Sequence, residues 1–545
     1  MYGRTNAAAL LVTMIFIAAC GDTPDATTDH SAAGEDTVPL YDDLGGHHYG
    51  ISTDNELAQR YFDQGLRLSY AFNHPEAIRA FDEAARVDPD CAMCYWGAAY
   101  AYGPNINAPM DSANAVKAYA AVQKALAAAP NASEHEQAFI HALATRYAPN
   151  PPGDRAALDS DYAEAMADVA RQYPDDLEAA TLHAEARMNL RPWAYWTLDG
   201  EPVPGTPEIL SSLESVMERN PDHPGACHFY IHAVEAAQPE KAVDCAERLA
   251  DAMPGAGHLV HMPAHIYIRT GRWADAIEIN RHATHADEVF IADQGPSGVY
   301  RAMYYPHNYH FLAFAGIMSG RSELAIESAR STAERTPPEA AAGSFLGEPL
   351  LAYPHLTLAA FGRWEEVLNE PAPPSELQIA TALSLYARGL ALSATEQWSE
   401  ADAALGRVGE IADTYEEGEA RTILDIARYS LIGDLAARQG NTEEAIENFR
   451  EAMRLEDGLY YIEPPIWHLP VRHMAGSVLL DAGRADEAEA LYREDLKRFP
   501  DNGWSLFGLQ KALEAQNKTA EAEDVQVRFA DIWSEADVTL TASRF

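Results

Sequence analysis

The sequence predicts an all-α solenoid, a stack of paired antiparallel helices, on three observations. First, a spacing of small, large and small residues closed by proline recurs along the chain. Ala77, Phe81, Ala84 and Pro89 set it, and Ile209, Leu213, Val216 and Pro221 repeat it. It returns at Ala242, Ala246, Leu249, Pro254, at Ala325, Ala329, Thr332, Pro337, at Ala445, Phe449, Ala452, and at Ala488, Tyr492, Pro500. Second, connectors containing glycine separate the helices, at Gly271-Arg272-Trp273, Gly320-Arg321, Gly362-Arg363-Trp364, Gly440-Asn441 and Gly483-Arg484. Glycine there lets one helix end in the left-handed region before the next begins. Third, no stretch of any length alternates apolar and polar residues with the two-residue period of a strand.

Each part of that spacing has a mechanical reason. Small residues let two helices approach, the large one fills the groove between them, and proline stops the second helix. The pattern resembles the tetratricopeptide repeat, a helix–turn–helix unit of ~34 residues. The resemblance runs from Leu57 to Ala536 in about ten or eleven units. It implies a right-handed superhelix whose first helices line a concave groove. The reading divides the array into 57–372 and 373–545, with Pro371 to Pro374 as a seam and a capping helix at the C-terminal end. Gly103 to Met110, Arg191 to Pro207 and Glu288 to Gly298 interrupt the period. They read as inserted loops, the kind of segment that carries function.

Ahead of the array, residues 1–19 read as an export signal: Arg4, then an apolar run from Ala7 to Ile17 too short to span a bilayer. The run ends Ile17-Ala18-Ala19-Cys20-Gly21, which resembles the lipobox of bacterial lipoproteins. That resemblance implies lipidation of Cys20, anchoring in the envelope, and an outer-membrane position facing the periplasm. Residues 20–56 read as a flexible tether. A net charge of -44 argues against nucleic acid as a partner, and against membrane contact other than through the lipid.

Counted back from the connector glycines, the histidines fall in register. His261, His310 and His473 each lie ten residues before Gly271, Gly320 and Gly483, and His258 and His307 lie thirteen before the first two. His228 and His232 precede His261 and His265 by 33 residues, one repeat apart. On the resemblance these slots face the groove, so His228, His232, His258, His261, His265, His307 and His310 should converge on one wall. Pro263 places a helix start between His261 and His265. Neutral imidazole is the commonest side-chain metal ligand, and it suits copper, zinc, iron or nickel. An exported location and Met262 point to copper or zinc. Glu235, Asp287 and Glu288 are candidates to orient the rings.

Other readings of the same wall stand beside that one. The histidines can bond between helices or respond to pH. They can also line a groove for a peptide, protein or small molecule with Tyr230, Tyr267 and Tyr305. Arg472 and His473, which follow Glu463-Pro464-Pro465, suggest a further patch of that groove. Cys227 and Cys245 read as a disulfide between antiparallel helices, and Cys91-x-x-Cys94 as a disulfide, a redox pair or metal ligands. No nucleophile elbow, phosphate loop, dinucleotide fingerprint or zincin motif appears, so the sequence names no reaction. The expectation is a lipid-anchored solenoid with a histidine-rich metal or ligand site. The alternative is a metal-free scaffold for an envelope complex.

Overall fold

The computed structural model describes residues 38–294 and 300–545. The export signal, Cys20 and the first part of the expected tether lie outside the described residues. The helices run α1 (Glu56–Tyr70), α2 (His74–Val87), α3 (Ala92–Ala101), α4 (Ser112–Ala128), α5 (Glu134–Ala144), α6 (Ala156–Gln172), α7 (Leu177–Met188) and α8 (Thr206–Arg219). Next come α9 (Pro224–Val234), α10 (Val243–Leu249), α11 (Gly257–His261), α12 (Pro263–Arg269), α13 (Trp273–Gln294), α14 (Tyr305–Met318), α15 (Ser322–Arg335), α16 (Pro338–Ala341), α17 (Glu348–Ala360) and α18 (Trp364–Asn369). The last are α19 (Gln378–Ala394), α20 (Trp398–Ala412), α21 (Glu419–Arg438), α22 (Thr442–Asp457), α23 (Val471–Asp481), α24 (Ala485–Arg498), α25 (Gly503–Ala515) and α26 (Thr519–Ile532). Among the described residues β pairing is limited to two isolated bridges, Asn105 with Ala108 and Trp196 with Pro202.

The connectors explain the recurring glycines. Gly271, Gly320, Gly362, Gly440 and Gly483 have φ of +78°, +74°, +65°, +83° and +73°. In each, the following amide reaches back five residues, as Arg272 N to Tyr267 O (2.9 Å) and Arg484 N to Leu479 O (2.8 Å). This left-handed cap satisfies carbonyls the ending helix leaves free. The α1–α2 turn uses the same bond, Asn73 N to Leu68 O (2.9 Å), but puts Phe72 in the left-handed position (φ 54°). A side chain there costs about 1–2 kcal/mol, so a phenylalanine in this slot needs a reason.

The superhelix winds until its late units lie against its middle. Trp273 Nε1 donates to Pro500 O (3.0 Å), Arg269 Nη1 to Arg498 O (3.1 Å) and Trp504 Nε1 to Ile317 O (2.8 Å). Asp537 caps the start of α15 through Ser322 N (2.7 Å) and Glu323 N (3.0 Å). At the other end α1 lies on α9, where Tyr70 sits so close to Gly225 that a Cβ there would be 2.5 Å from its ring. First helices are thereby covered on the inside as well as between neighbours.

Three expectations change. Residues 38–55 are not a free tether: Leu44 is buried, Tyr61 Oη donates to Val38 O (2.8 Å), Tyr41 N to Gln64 Oε1 (2.8 Å) and Gly255 N to Asp43 O (2.9 Å). Polar side chains of α1 and the turn before α11 supply the partners that a solvated linker would take from water. The stretch from Glu288 is helical to Gln294, because Asp287 and Glu288 anchor it to the residues that follow. The stack continues across Pro371 to Pro374, with α19 packed on both α17 and α18. The helix start expected at Pro263 is present: α12 begins there, after α11 has ended at His261, and Met262 between them keeps helical angles (φ -51°, ψ -37°).

Both cysteine pairs are closed as disulfides, Cys91 with Cys94 (Cα–Cα 5.4 Å) and Cys227 with Cys245 (5.7 Å). Trp504 tests the winding, since it is fully buried and is held from Ile317 across the superhelix. Trp504→Ala should cost about 3–5 kcal/mol, read as a lower thermal midpoint with amides of both α14 and α25 losing protection from hydrogen exchange. An unchanged melt would show that this contact does not hold the turns together.

Candidate metal centre

His228 and His232 lie four residues apart on α9, one turn above the other on a single face. His258 and His261 sit on α11, His265 on α12 and His307 on α14. Their rings form a continuous chain: His228–His232 4.9 Å between centroids, His228–His258 5.0 Å, His232–His265 5.3 Å, His261–His265 4.8 Å and His261–His307 4.9 Å. All are buried except His307, which is partly exposed. Aromatic rings close the other side. Phe72 lies 4.5 Å from His228 and 5.5 Å from His258, Trp193 5.0 Å from His232, Tyr304 4.3 Å from His258 and Phe311 4.5 Å from His261. The strained turn at Phe72 is what places its ring there.

Hydrogen-bond partners set which nitrogen of each ring carries the proton. His228 Nδ1 lies 2.6 Å from Tyr70 O, which can only accept, so Nδ1 donates. His232 Nδ1 meets Glu235 Oε1 at 3.1 Å. His261 Nδ1 meets Asn280 Oδ1 at 2.7 Å, and Asn280 is oriented by its own Nδ2 donating to Ala276 O (2.7 Å). His265 Nδ1 lies 2.6 Å from Glu235 Oε2; the angle is not that of a hydrogen bond, but a carboxylate oxygen so near draws the proton to Nδ1. Each Nδ1 is thus a donor, and each Nε2 presents a lone pair inward.

Those lone pairs lack donors. His228 Nε2, His232 Nε2 and both nitrogens of His258 are buried without a hydrogen-bond partner. His261 Nε2 and His265 Nε2 face each other at 2.9 Å. Two lone pairs cannot be left so, and either a proton or a cation must stand between them. Two nitrogens bound ~2.0–2.1 Å from one ion lie about 3 Å apart at angles from square to tetrahedral, so the residues fit a metal ion. Burial, reinforced by neighbouring imidazoles, pushes His228, His258, His261 and His307 well below the ordinary imidazole range. They are neutral, the form that ligates. Burial pushes the Glu235 carboxyl up, but the Nδ1 protons of His265 and His232 that face its two oxygens outweigh burial and hold it below the usual carboxylate range.

Glu463 arrives from the far end of the chain, its Oε2 3.9 Å from His265 Nδ1 and its Oε1 3.5 Å from Arg269 Nε. Tyr461 donates to the same carboxylate. Burial and the nearby Glu235 charge push Glu463 well above the usual range, so of the two carboxyls Glu235 carries the charge. The order of the chain hides this meeting, because it depends on the winding.

A second cluster lines a cleft of about 910 Å³. Glu178 Oε1 lies 2.8 Å from His47 Nε2 and 3.1 Å from His223 Nε2, and Tyr70 Oη bonds its other oxygen. Here the protonation runs the other way. His223 Nδ1 accepts from Ala226 N (3.1 Å) at the start of α9, so in the neutral ring Nε2 holds the proton and gives it to Glu178. That nitrogen has no lone pair for a metal, which distinguishes this cluster from the histidine wall.

Several expected site residues lie elsewhere. His310 turns to the next first helix and meets the Tyr353 ring at 4.5 Å, because its slot on α14 faces α17 while that of His307 faces α11. Tyr230 Oη donates to Glu214 (2.8 Å), Tyr267 stacks under Arg272 (4.3 Å), and Tyr305 donates to Glu288 (3.1 Å) beside Arg335; these rings serve the second helices, not the wall. Arg472 pairs with Asp457 (2.8 Å), and His473 with Asp495 (2.9 Å) in the C-terminal core. Asp287 accepts from Tyr300 and Asn308 instead of a histidine, and burial pushes it up to about 7. Cys91 and Cys94, bonded to each other, are not available as ligands.

Buried neutral imidazoles make metal-free stability depend on pH. Burial lowers His310 and His468 to about 3 and His74 to about 4, from 6.5. The unfolded chain protonates these rings below pH 6.5 while the folded chain does not, so stability falls as pH drops from about 6.5 towards 3–4. Buried carboxyls raised to about 7, Glu185, Asp287 and Glu456, act oppositely but are outnumbered by the lowered histidines. The thermal midpoint of metal-free protein should therefore decline between pH 7 and 4.5; a flat profile would contradict this balance.

A tetratricopeptide-repeat family model matches residues 426–457, most of α21 and all of α22. No curated protein matches the chain. Among solved structures it is similar to the human IFIT1 dimer with m7Gppp-AAAA at 12% identity, covering 89% of this chain and 91% of that one with a TM-score of 0.34. It is similar to the APC/C hetero-tetramer Cut9–Hcn1 at 12% identity, covering 87% and 76% with a TM-score of 0.32. It is also similar to the P58(IPK) TPR domain at 12% identity, covering 85% and 99% with a TM-score of 0.20. The matched tetratricopeptide repeat at 426–457 is one unit of a longer stack, with helix pairs before and after it.

Proposed function

We propose that this helical scaffold binds a transition metal on its inner wall, through His228, His232, His258, His261, His265 and His307. The observation that supports it best is the set of inward Nε2 lone pairs, with the opposite nitrogens of four rings held by Tyr70, Glu235 and Asn280. Metal-binding histidines are characteristically oriented in this way, by a carbonyl or carboxylate on the far nitrogen. Imidazole donors beside a carboxylate suit copper or zinc. Burial under Phe72, Trp193, Tyr304 and Phe311 argues against an extended peptide lying on these residues. A metal-free scaffold for an envelope complex would use the outer faces or the cleft beside His47 instead.

On this reading the protein is exported and held by a lipid on Cys20, on the periplasmic side of the outer membrane. The apolar run and the Ile17-Ala18-Ala19-Cys20-Gly21 stretch support that placement. Cys20→Ala should move the protein from the membrane to the soluble fraction on cell fractionation, and an unchanged distribution would count against the anchor.

Purified protein dialysed against weak chelator should retain copper or zinc on elemental analysis, and the His261→Ala, His265→Ala double variant should retain much less. If the wild type holds none and binds none on titration, the metal reading is wrong. In that case a partner that co-purifies equally with both forms would favour the scaffold.

A further inference from the structure

The six imidazoles do not form one ligand set. Their ligand atoms fall into two triads, His228, His232 and His258, then His261, His265 and His307, each with its atoms within 4.8 Å of one another. The triads share no residue. A third grouping, His232, Glu235 and His265, takes one histidine from each and joins them through a single carboxylate. Two donors on one ion at ~2.1 Å cannot be more than about 4.2 Å apart. The six ligand atoms do not form one set within 4.8 Å but two, so one ion cannot collect them all.

We propose that the wall holds two metal ions, one in each triad, with Glu235 as the common anchor. This rests on the metal-binding reading above and extends it. Glu235 Oε1 holds Nδ1 of His232 (3.1 Å) while Oε2 lies on Nδ1 of His265 (2.6 Å), so one side chain orients a ligand of each ion. Three protein nitrogens leave each ion a free coordination position. The two triads differ in access. The first is closed by Phe72, Trp193 and Tyr304, whereas the second includes the partly exposed His307.

Charge balance names the class of exogenous ligand. Two divalent cations bring four positive charges to a buried wall where the neutral histidines supply none, and where Glu235 and Glu463 supply at most two negative ones. Uncompensated buried charge is costly. A small anion binding from the His307 side, in the free position of the second ion, supplies part of the missing charge.

The test uses the whole chain loaded with Cu(II), dialysed and analysed for copper per chain, with electron paramagnetic resonance on the same samples. Wild type should hold two ions whose signal per copper is reduced or broadened by coupling between them, and azide should perturb it. His228→Ala, His258→Ala and, separately, His261→Ala, His307→Ala should each hold one ion with the full signal of an isolated Cu(II). Circular dichroism checks that each is folded, and the corresponding glutamine variants replace any that is not. One ion in wild type, lost in both variants, would overturn the two-ion proposal and leave the metal reading standing. Two uncoupled ions, or two retained in either variant, would place copper elsewhere and overturn it as well. No ion in wild type would remove the underlying reading itself.

Discussion

Every buried imidazole brings two nitrogens that water no longer serves, and the inner wall is built around that requirement. An unpartnered polar group in an apolar interior costs roughly 1–3 kcal/mol. Here the far nitrogens of three rings are satisfied by a backbone carbonyl, an asparagine and a glutamate, and that of a fourth lies against the same glutamate. The near nitrogens are left facing one another. Side chains on α9, α11, α12 and α14 thus converge on unmet hydrogen-bonding capacity at one place, which simple helix packing has no reason to produce.

The repeat scaffold makes such convergence possible at little conformational cost. Helices of adjacent units run side by side, so a slot used in one unit lies beside the equivalent slot in the next. The covering groups come from irregular parts: Phe72 from a strained turn, Trp193 from an inserted loop, Glu463 from the segment before α23. Regular parts supply the ligands and irregular parts supply the enclosure. This matches the general tendency of function to gather where a regular pattern breaks.

Much of this arrangement was legible in the chain, and the rest was hidden for identifiable reasons. The connector glycines and the proline-closed spacing describe local geometry, so the paired helices followed from them. The register of His228, His232, His261 and His265 located neighbours on adjacent helices. It could not separate His261, which joins the wall, from His310 and His473, which occupy the same slot but face Tyr353 and Asp495. Which way a slot looks depends on superhelical curvature, and curvature is set by packing between units. Glu463 and Phe72 were unreadable for the same reason, since both reach the histidines across a turn of the superhelix. His47 and Glu178 were missed because a polar leader was read as solvated.

The contacts of Trp273 with Pro500 and of Trp504 with Ile317 have an evolutionary consequence. Open solenoids tolerate gain or loss of a unit because each touches only its neighbours. Here a unit inserted between α15 and α23 would shift Glu463 away from His265 and unseat the late helices from the middle ones. The number of units is consequently locked, and a nominally modular architecture behaves as a single indivisible body.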